Sequence, residues 1–102
     1  RRVAAIAETT GRPCDVNGSI ESGIGNAANL HFAISAPPVE MPCVIPISAP
    51  AGTHPYQVGG HYYEDDIVTE PFSVDGGCLL PINRPGLGVE IDPKKLERFR
   101  LK

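Results

Sequence analysis

Residues 14–31 read Cys14-Asp15-Val16-Asn17-Gly18-Ser19-Ile20-Glu21-Ser22-Gly23-Ile24-Gly25-Asn26-Ala27-Ala28-Asn29-Leu30-His31. The first four form a short strand candidate. Gly18 to Gly23 is a turn with glycine at both ends. From Ile24 to Ser35 the pattern becomes helical: Ile24, Ala27, Ala28, Leu30, His31, Ala33 and Ile34 are mostly small and apolar, and Pro37-Pro38 closes the segment. A strand, a glycine turn and a helix in this order are the elements of an α/β unit.

Upstream, residues 1–10 place Val3, Ala4, Ile6 and Ala7 at helical spacing, and Gly11 and Pro13 stop them. Downstream, Val39–Ile47 is a β-branched run broken by Pro42 and Pro46, which leaves a short strand near Met41–Ile45. Helix, strand, helix, strand predicts parallel strands, and their nearly all-apolar content predicts a sheet covered on both faces. Two strands do not complete such a sheet, so further strands are expected upstream. The opening Arg1-Arg2-Val3, without a Met, fits a piece of a longer protein and is read as an amphipathic helix rather than a signal peptide.

Residues 48–63 read as a loop rich in Gly, Pro, His and Tyr, including His54, Tyr56, His61, Tyr62 and Tyr63. Loops of this length are often functional. Residues 64–102 form a tail. Ile67–Val74 and Gly77–Leu80 read as two strands around an Asp75-Gly76-Gly77 turn. Pro85-Gly86-Leu87-Gly88 marks another turn. Asp92 then caps a last helix that starts with Pro93 at its first position. The division expected is 1–47, 48–63 and 64–102.

Composition sets outer bounds. The chain has 102 residues, 9 Lys+Arg against 12 Asp+Glu, and a formal charge of −3. One domain at most fits that length, and an acidic balance argues against nucleic acid as a partner. No apolar run approaches the ~20 residues of a membrane span. Gly and Pro number 11 each, nearly twice the ~12 in all that average usage gives, which predicts irregular, ordered connections. Cys14, Cys43 and Cys78 are far apart, odd in number and without a C-x-x-C pair. They read as reduced thiols of a cytoplasmic protein. His31, His54 and His61 lack zinc-ligand spacing.

Two separated motifs resemble one known group. Gly18 to His31 resembles the seventh-strand loop and following helix of the mandelate racemase/muconate lactonizing enzyme group of the enolase superfamily. Asp66-Ile67-Val68-Thr69-Glu70-Pro71, Asp75-Gly76-Gly77 and Pro85-Gly86-Leu87-Gly88-Val89-Glu90 resemble its closing segment. The resemblance implies the C-terminal part of a modified TIM barrel, (β/α)7β: the sixth helix, the seventh strand and helix, the eighth strand, and a tail that packs on a capping domain. It implies abstraction of the proton α to a carboxylate. It also implies a Mg²⁺ ion, whose ligands lie upstream, and Lys or His bases on the second, sixth or seventh strands, the second- and sixth-strand lysines lying upstream of these residues.

In barrels the chemistry sits in the loops after the strands. Asn17, Ser19 and Glu21 follow the seventh strand and Cys43 lies near the end of the eighth, so these four are the expected substrate contacts, and no catalytic residue is assigned within the chain. Gly18 would let the backbone approach a ligand closely, and the helix start at Ser22–Gly25 could offer N–H groups to an anionic substrate. The bland readings stand beside these. Ser19 can be a helix cap, Glu21 a structural carboxylate, and Cys43 a small buried hydrophobe. Glu40 is a surface acid about three residues early for the pocket, and Asp15 a weaker candidate set by strand register. His31 is expected to be a packed, hydrogen-bonded side chain. His54 and His61 could cover the pocket mouth or contact a capping domain. Lys94, Lys95, Arg98, Arg100 and Lys102 read as a solvated helix face.

Ser19 stands where mandelate racemase carries a catalytic His, so the chain departs from that subgroup and fits better the muconate lactonizing-like one, whose bases are two lysines. The implied activity is that of a racemase, epimerase, cycloisomerase or dehydratase on a small carboxylate or amino-acid-like substrate. Met41-Pro42-Cys43-Val44-Ile45-Pro46 beside the Cys14–Glu21 stretch most resembles members acting on proline-type amino acids, such as cis-3-hydroxyproline dehydratases. The chain alone is expected to be inactive, and its open strand edges predict a homo-oligomer. The alternative is a stand-alone α+β binding or interaction domain without catalysis.

Overall fold

The computed structural model describes residues 1–49, 52 and 61–101. Three helices are formed: α1 (Arg2–Thr9), α2 (Gly23–Ser35) and α3 (Pro93–Arg98). Four short strands accompany them: β1 (Ile47–Ser48), β2 (His61–Tyr63), β3 (Val74–Asp75) and β4 (Cys78–Leu79). Among the described residues no helix is long and apolar enough to cross a membrane.

The α/β reading holds around α2. Cys14 bridges Val39 and Asn17 bridges Val44, both in parallel, with α2 as the crossover between them. The ladder runs through Cys14 N–H to Pro38 O at 2.7 Å, Val44 N–H to Val16 O at 3.0 Å and Gly18 N–H to Val44 O at 2.7 Å. The expected continuous strands at Cys14–Asn17 and Met41–Ile45 are replaced by these isolated bridges. Three residue steps on one side oppose five on the other, and Pro42 supplies no N–H, so the pairing bulges and breaks.

The chain past Pro46 rejoins a sheet. β1 pairs β2 in parallel, with Ile47 opposite His61 and Ser48 opposite Tyr63, and Ala49 N–H reaches Tyr63 O at 2.7 Å. The segment expected as loop 48–63 therefore begins and ends in strand. Parallel neighbours need a long connection. Most of that connection, His54 and Tyr56 included, lies outside the described residues.

In the tail, β3 and β4 form an antiparallel hairpin with Val74 opposite Leu79. Gly76 and Gly77 have φ of 53° and 82°, the left-handed pair that a two-residue hairpin turn requires. The strand expected over Ile67–Val74 forms only at its ends. Val68 bridges Ile91, Thr69 N–H reaches Glu90 O at 2.9 Å, and Pro71 interrupts what lies between. Asp92 caps α3 through the N–H of Lys94 at 2.8 Å and Lys95 at 3.3 Å, with Pro93 first in the helix.

The core is small. Among the described residues the buried hydrophobic side chains are Ala7, Ala27, Leu30, Ile47, Ala49 and Val68, three of them alanine. Large apolar side chains left exposed include Val3 at 76%, Ile6 at 64% and Ile20 at 79%, with Met41, Val44, Leu96 and Phe99 also open. The radius of gyration is 14.8 Å, above the ~13 Å of a compact chain of this length.

Candidate functional site

The segments 17–21 and 43–46 lie side by side, because the Asn17–Val44 bridge joins them. Gly18 fixes how close they come. A Cβ there would stand 2.8 Å from Pro46 Cδ, 3.1 Å from a Glu21 carboxylate oxygen and 3.2 Å from Val44 O. The space over Gly18 is thus filled by the chain itself, which corrects the expectation that its bare backbone faces a ligand.

Asn17 and Ser19 are exposed. Ser19 does not cap α2. The capping position belongs to Ser22, whose side chain makes no capping bond. Ser19 N–H donates instead to Glu21 Oε2 at 2.6 Å, so the Glu21 carboxylate braces its own turn. Cys43 is half-buried, and its Sγ accepts the Val16 N–H at 3.2 Å. All three cysteines are free thiols, with Cys78 exposed on β4. The four expected contacts, Asn17, Ser19, Glu21 and Cys43, therefore fall on two adjoining segments. Asp15 and Glu40 are exposed. His31 is half-buried, its Nε2 3.2 Å from Leu87 O, as expected of a packed histidine.

The first turn of α2 is already occupied. Gly23 N–H donates to Asp66 Oδ1 at 2.9 Å, and Ile67 N–H donates to the same oxygen at 2.7 Å. Asp66 is only 6% exposed. A carboxylate is favourable at a helix N-terminus, and here the tail supplies it. The expectation that Ser22–Gly25 offers its N–H groups to an anionic substrate is corrected at Gly23.

Beside Asp66 lies a buried polar knot. Asn26 is fully buried. Its Nδ2, with two hydrogens to give, has Glu21 O at 3.0 Å, Pro46 O and the Tyr63 hydroxyl at 2.7 Å within reach. The Tyr63 hydroxyl has Glu21 O and Pro46 O each at 3.0 Å, with Asp66 Oδ2 at 3.4 Å. Burial first, and the neighbouring Asp66 charge second, push the Tyr63 hydroxyl well above the usual tyrosine range, so it stays protonated. Asn26 Oδ1 is buried with no partner.

Asp65 does a separate task. It pairs with Lys95 Nζ at 2.9 Å and with Arg98, and Lys95 also donates to Val68 O at 3.0 Å. The Lys95 bond, aided by Arg98, lowers the Asp65 carboxyl to about 2. The basic face of α3 is therefore docked through Lys95 and Arg98 rather than simply solvated. An open cleft of about 840 Å³ lies here, lined in part by Tyr63, Asp65, Lys95 and Phe99.

Among the described residues no three His, Cys, Asp or Glu side chains stand together as ligands. Asp66, Asp65 and Glu21 are each already bonded to backbone N–H groups or basic side chains.

The sequence reading missed Asn26, Tyr63 and Asp66 as organisers of the site. Two signals were present: Asn26 beside the small apolar residues of α2, and the acidic run Glu64-Asp65-Asp66 just before Ile67.

The sequence as a whole is similar to those of known enzymes. The chain is 32% identical over 102 residues to N-succinylamino acid racemase of Thermus thermophilus, covering 98% of this chain and 24% of the racemase. It is 36% identical over 93 residues to muconate cycloisomerase 1 of Rhodococcus opacus, covering 90% of this chain and 21% of the cycloisomerase. A probable glucarate dehydratase of Streptomyces coelicolor is 28% identical over 96 residues, covering 94% of this chain and 19% of the dehydratase. The chain thus spans about a quarter or less of the length of these relatives. A family model described as enolase C-terminal domain-like matches residues 1–95. That match covers nearly the whole chain, which therefore belongs to the enolase C-terminal domain-like family.

Proposed function

We propose that these residues are the closing part of a (β/α)7β barrel in a longer enzyme that abstracts the α-proton of a carboxylate substrate. In this reading Cys14–Asn17 belongs to the seventh strand and Met41–Ile45 to the eighth, and the tail returns toward a capping domain. The observation that carries it is the parallel crossover: Cys14 to Val39 and Asn17 to Val44, with α2 between. The exposed candidate contacts then lie at a strand's end, Asn17 as its last residue and Ser19 just past it, where barrel enzymes keep their chemistry.

Within the site this chain supplies binding and shape. Asn17 and Ser19 carry exposed polar side chains that can donate to a substrate carboxylate. Glu21 keeps the turn closed by holding Ser19 N–H. Cys43, fixed by Val16 N–H, presents a small wall on the facing segment. By the family resemblance, Mg²⁺ ligands and the lysine bases would lie in the rest of the barrel. Racemisation and dehydration begin with this proton abstraction, and a cycloisomerisation runs through it in its lactone-opening direction, which accommodates relatives named for each of them.

The wide exposure of Val3, Ile6 and Ile20 weighs against a self-sufficient binding domain. The remaining barrel would cover such a surface. The test is α-proton exchange in deuterated water by the full-length parent, loaded with Mg²⁺. The substrates are N-succinylamino acids, muconolactones and proline derivatives, cis-3-hydroxyproline among them. Deuterium at the α-carbon of one class supports the reading and selects the substrate, and no incorporation into any class overturns it.

A further inference from the structure

We infer that Tyr63 is a positioning residue, whose hydroxyl joins the Asn26 amide to clamp the carbonyls of Glu21 and Pro46 and so set the spacing of the two segments that carry the candidate contacts. The inference rests on the proposed site for its functional consequence, but the clamp itself is drawn from geometry alone.

Glu21 ends the first segment and Pro46 ends the second. Neither carbonyl is bonded to the other segment directly. Both lie within hydrogen-bond reach of the same two side chains, whose three hydrogens serve the two carbonyls and the Asn26–Tyr63 bond. Asn26 Nδ2 lies 3.0 Å from Glu21 O and within reach of Pro46 O. Tyr63 Oη lies 3.0 Å from each of the same carbonyls. Asn26 in turn donates to Tyr63 at 2.7 Å, which locks the two clamping groups together. Asn26 and Pro46 are essentially fully buried, so water does not compete at that end. A buried carbonyl left without its donor is costly, and two carbonyls sharing two donors must therefore keep their separation.

The clamp also gives the tail a hold on the site. Tyr63 sits at the end of β2, where Ser48 is its parallel partner. Three residues later Asp66 holds Gly23 N–H. The tail thus contacts the first segment's exit, the second segment's exit and the first turn of α2 through Tyr63 and Asp66.

Tyr63→Phe removes only the hydroxyl and keeps the ring. The experiment is amide hydrogen exchange by mass spectrometry on the full-length parent, comparing wild type with Tyr63→Phe. Peptides covering residues 17–26 and 43–48 report on the clamp. Peptides covering 73–80 and 93–100, which hold the hairpin and α3, serve as controls. The expected result is exchange about 3- to 10-fold faster in both clamp regions, with the controls unchanged, in line with the loss of one hydrogen bond. Asn26→Ala combined with Tyr63→Phe should loosen the same two regions further. Unchanged exchange at 17–26 and 43–48, or uniformly faster exchange that includes the controls, overturns the inference.

Kinetics separates the clamp from the site reading. If the two segments bind substrate, Tyr63→Phe raises KM several-fold while kcat moves less, the pattern of lost ground-state binding. Local loosening with unchanged KM keeps the clamp and removes Asn17, Ser19, Glu21 and Cys43 from the substrate site.

Discussion

Asp66 reaches back across 43 positions of sequence to accept the Gly23 N–H at 2.9 Å, so the tail, not the residue preceding it, caps α2. Ser22 holds the capping position and leaves it unfilled. This one bond ties the tail to the loop that carries Asn17, Ser19 and Glu21.

Removing that cap has a foreseeable cost. Asp66→Ala in the full-length parent should lower stability by about 1–2 kcal/mol, the range for a lost capping side chain. Asp66→Asn keeps an acceptor and should lose less. Denaturant melts read both, and an Asp66→Ala protein as stable as wild type contradicts the capping role.

Gly18 is held by space rather than by backbone angle. A Cβ would collide with Pro46 Cδ and Val44 O, neither of which can turn away. Gly18→Ala should therefore destabilise by about 1–3 kcal/mol, as overpacking does. It should also weaken substrate binding, since the 17–21 and 43–46 segments are pushed apart. A Gly18→Ala enzyme with unchanged melting and KM would show that the contact is loose.

Alkaline pH should act through Tyr63. Its folded-state value is raised by burial and by Asp66, whereas an unfolded tyrosine ionises near ~10. Above that pH the folded state keeps a proton that the unfolded state loses, so stability falls as pH rises, and none of this loss occurs below it. The Tyr63→Phe protein should lose less stability between pH 10 and 11.5 than wild type. The difference in phenolate absorbance between the two proteins should show no ionisation near pH 10.

Acid acts through Asp65 in the opposite sense. Its carboxyl is lowered to about 2 from the ordinary 3.8, chiefly by the Lys95 bond. The pairing stabilises fully above the unfolded value and is lost as pH falls from about 4 toward 2. The Asp65 side chain is a third exposed, so solvent screening keeps the effect under ~1 kcal/mol. Asp65→Asn should flatten the acid limb of a stability curve by that amount and change nothing near pH 7 beyond the loss of the pair itself.

What was legible in the sequence was local. The helix over Gly23–Ser35 shows in its small apolar residues and in Pro37-Pro38. The Asp75-Gly76-Gly77 turn and the Asp92-Pro93 helix start announce themselves because each needs particular residue types at fixed offsets. Strand lengths were less legible. Pro42 and Pro71 each interrupt a run that reads as strand, and pairing survives only beside them. The polar knot was not legible. Asn26 and Tyr63 bond to the carbonyls of Glu21 and Pro46, and a backbone carbonyl leaves no trace in residue identity. For the same reason Lys95 looked like a solvated lysine, although its ammonium holds both Asp65 and Val68 O.

The central claim is that these 102 residues complete a larger barrel, which covers side chains such as Val3, Ile6 and Ile20. Light scattering recorded through a thermal melt of the isolated chain tests it most directly. The account predicts an associated or partly unfolded chain without a sharp transition, because much of its apolar surface has no cover. A monomer that melts in one cooperative step would contradict it and would favour an independent binding domain.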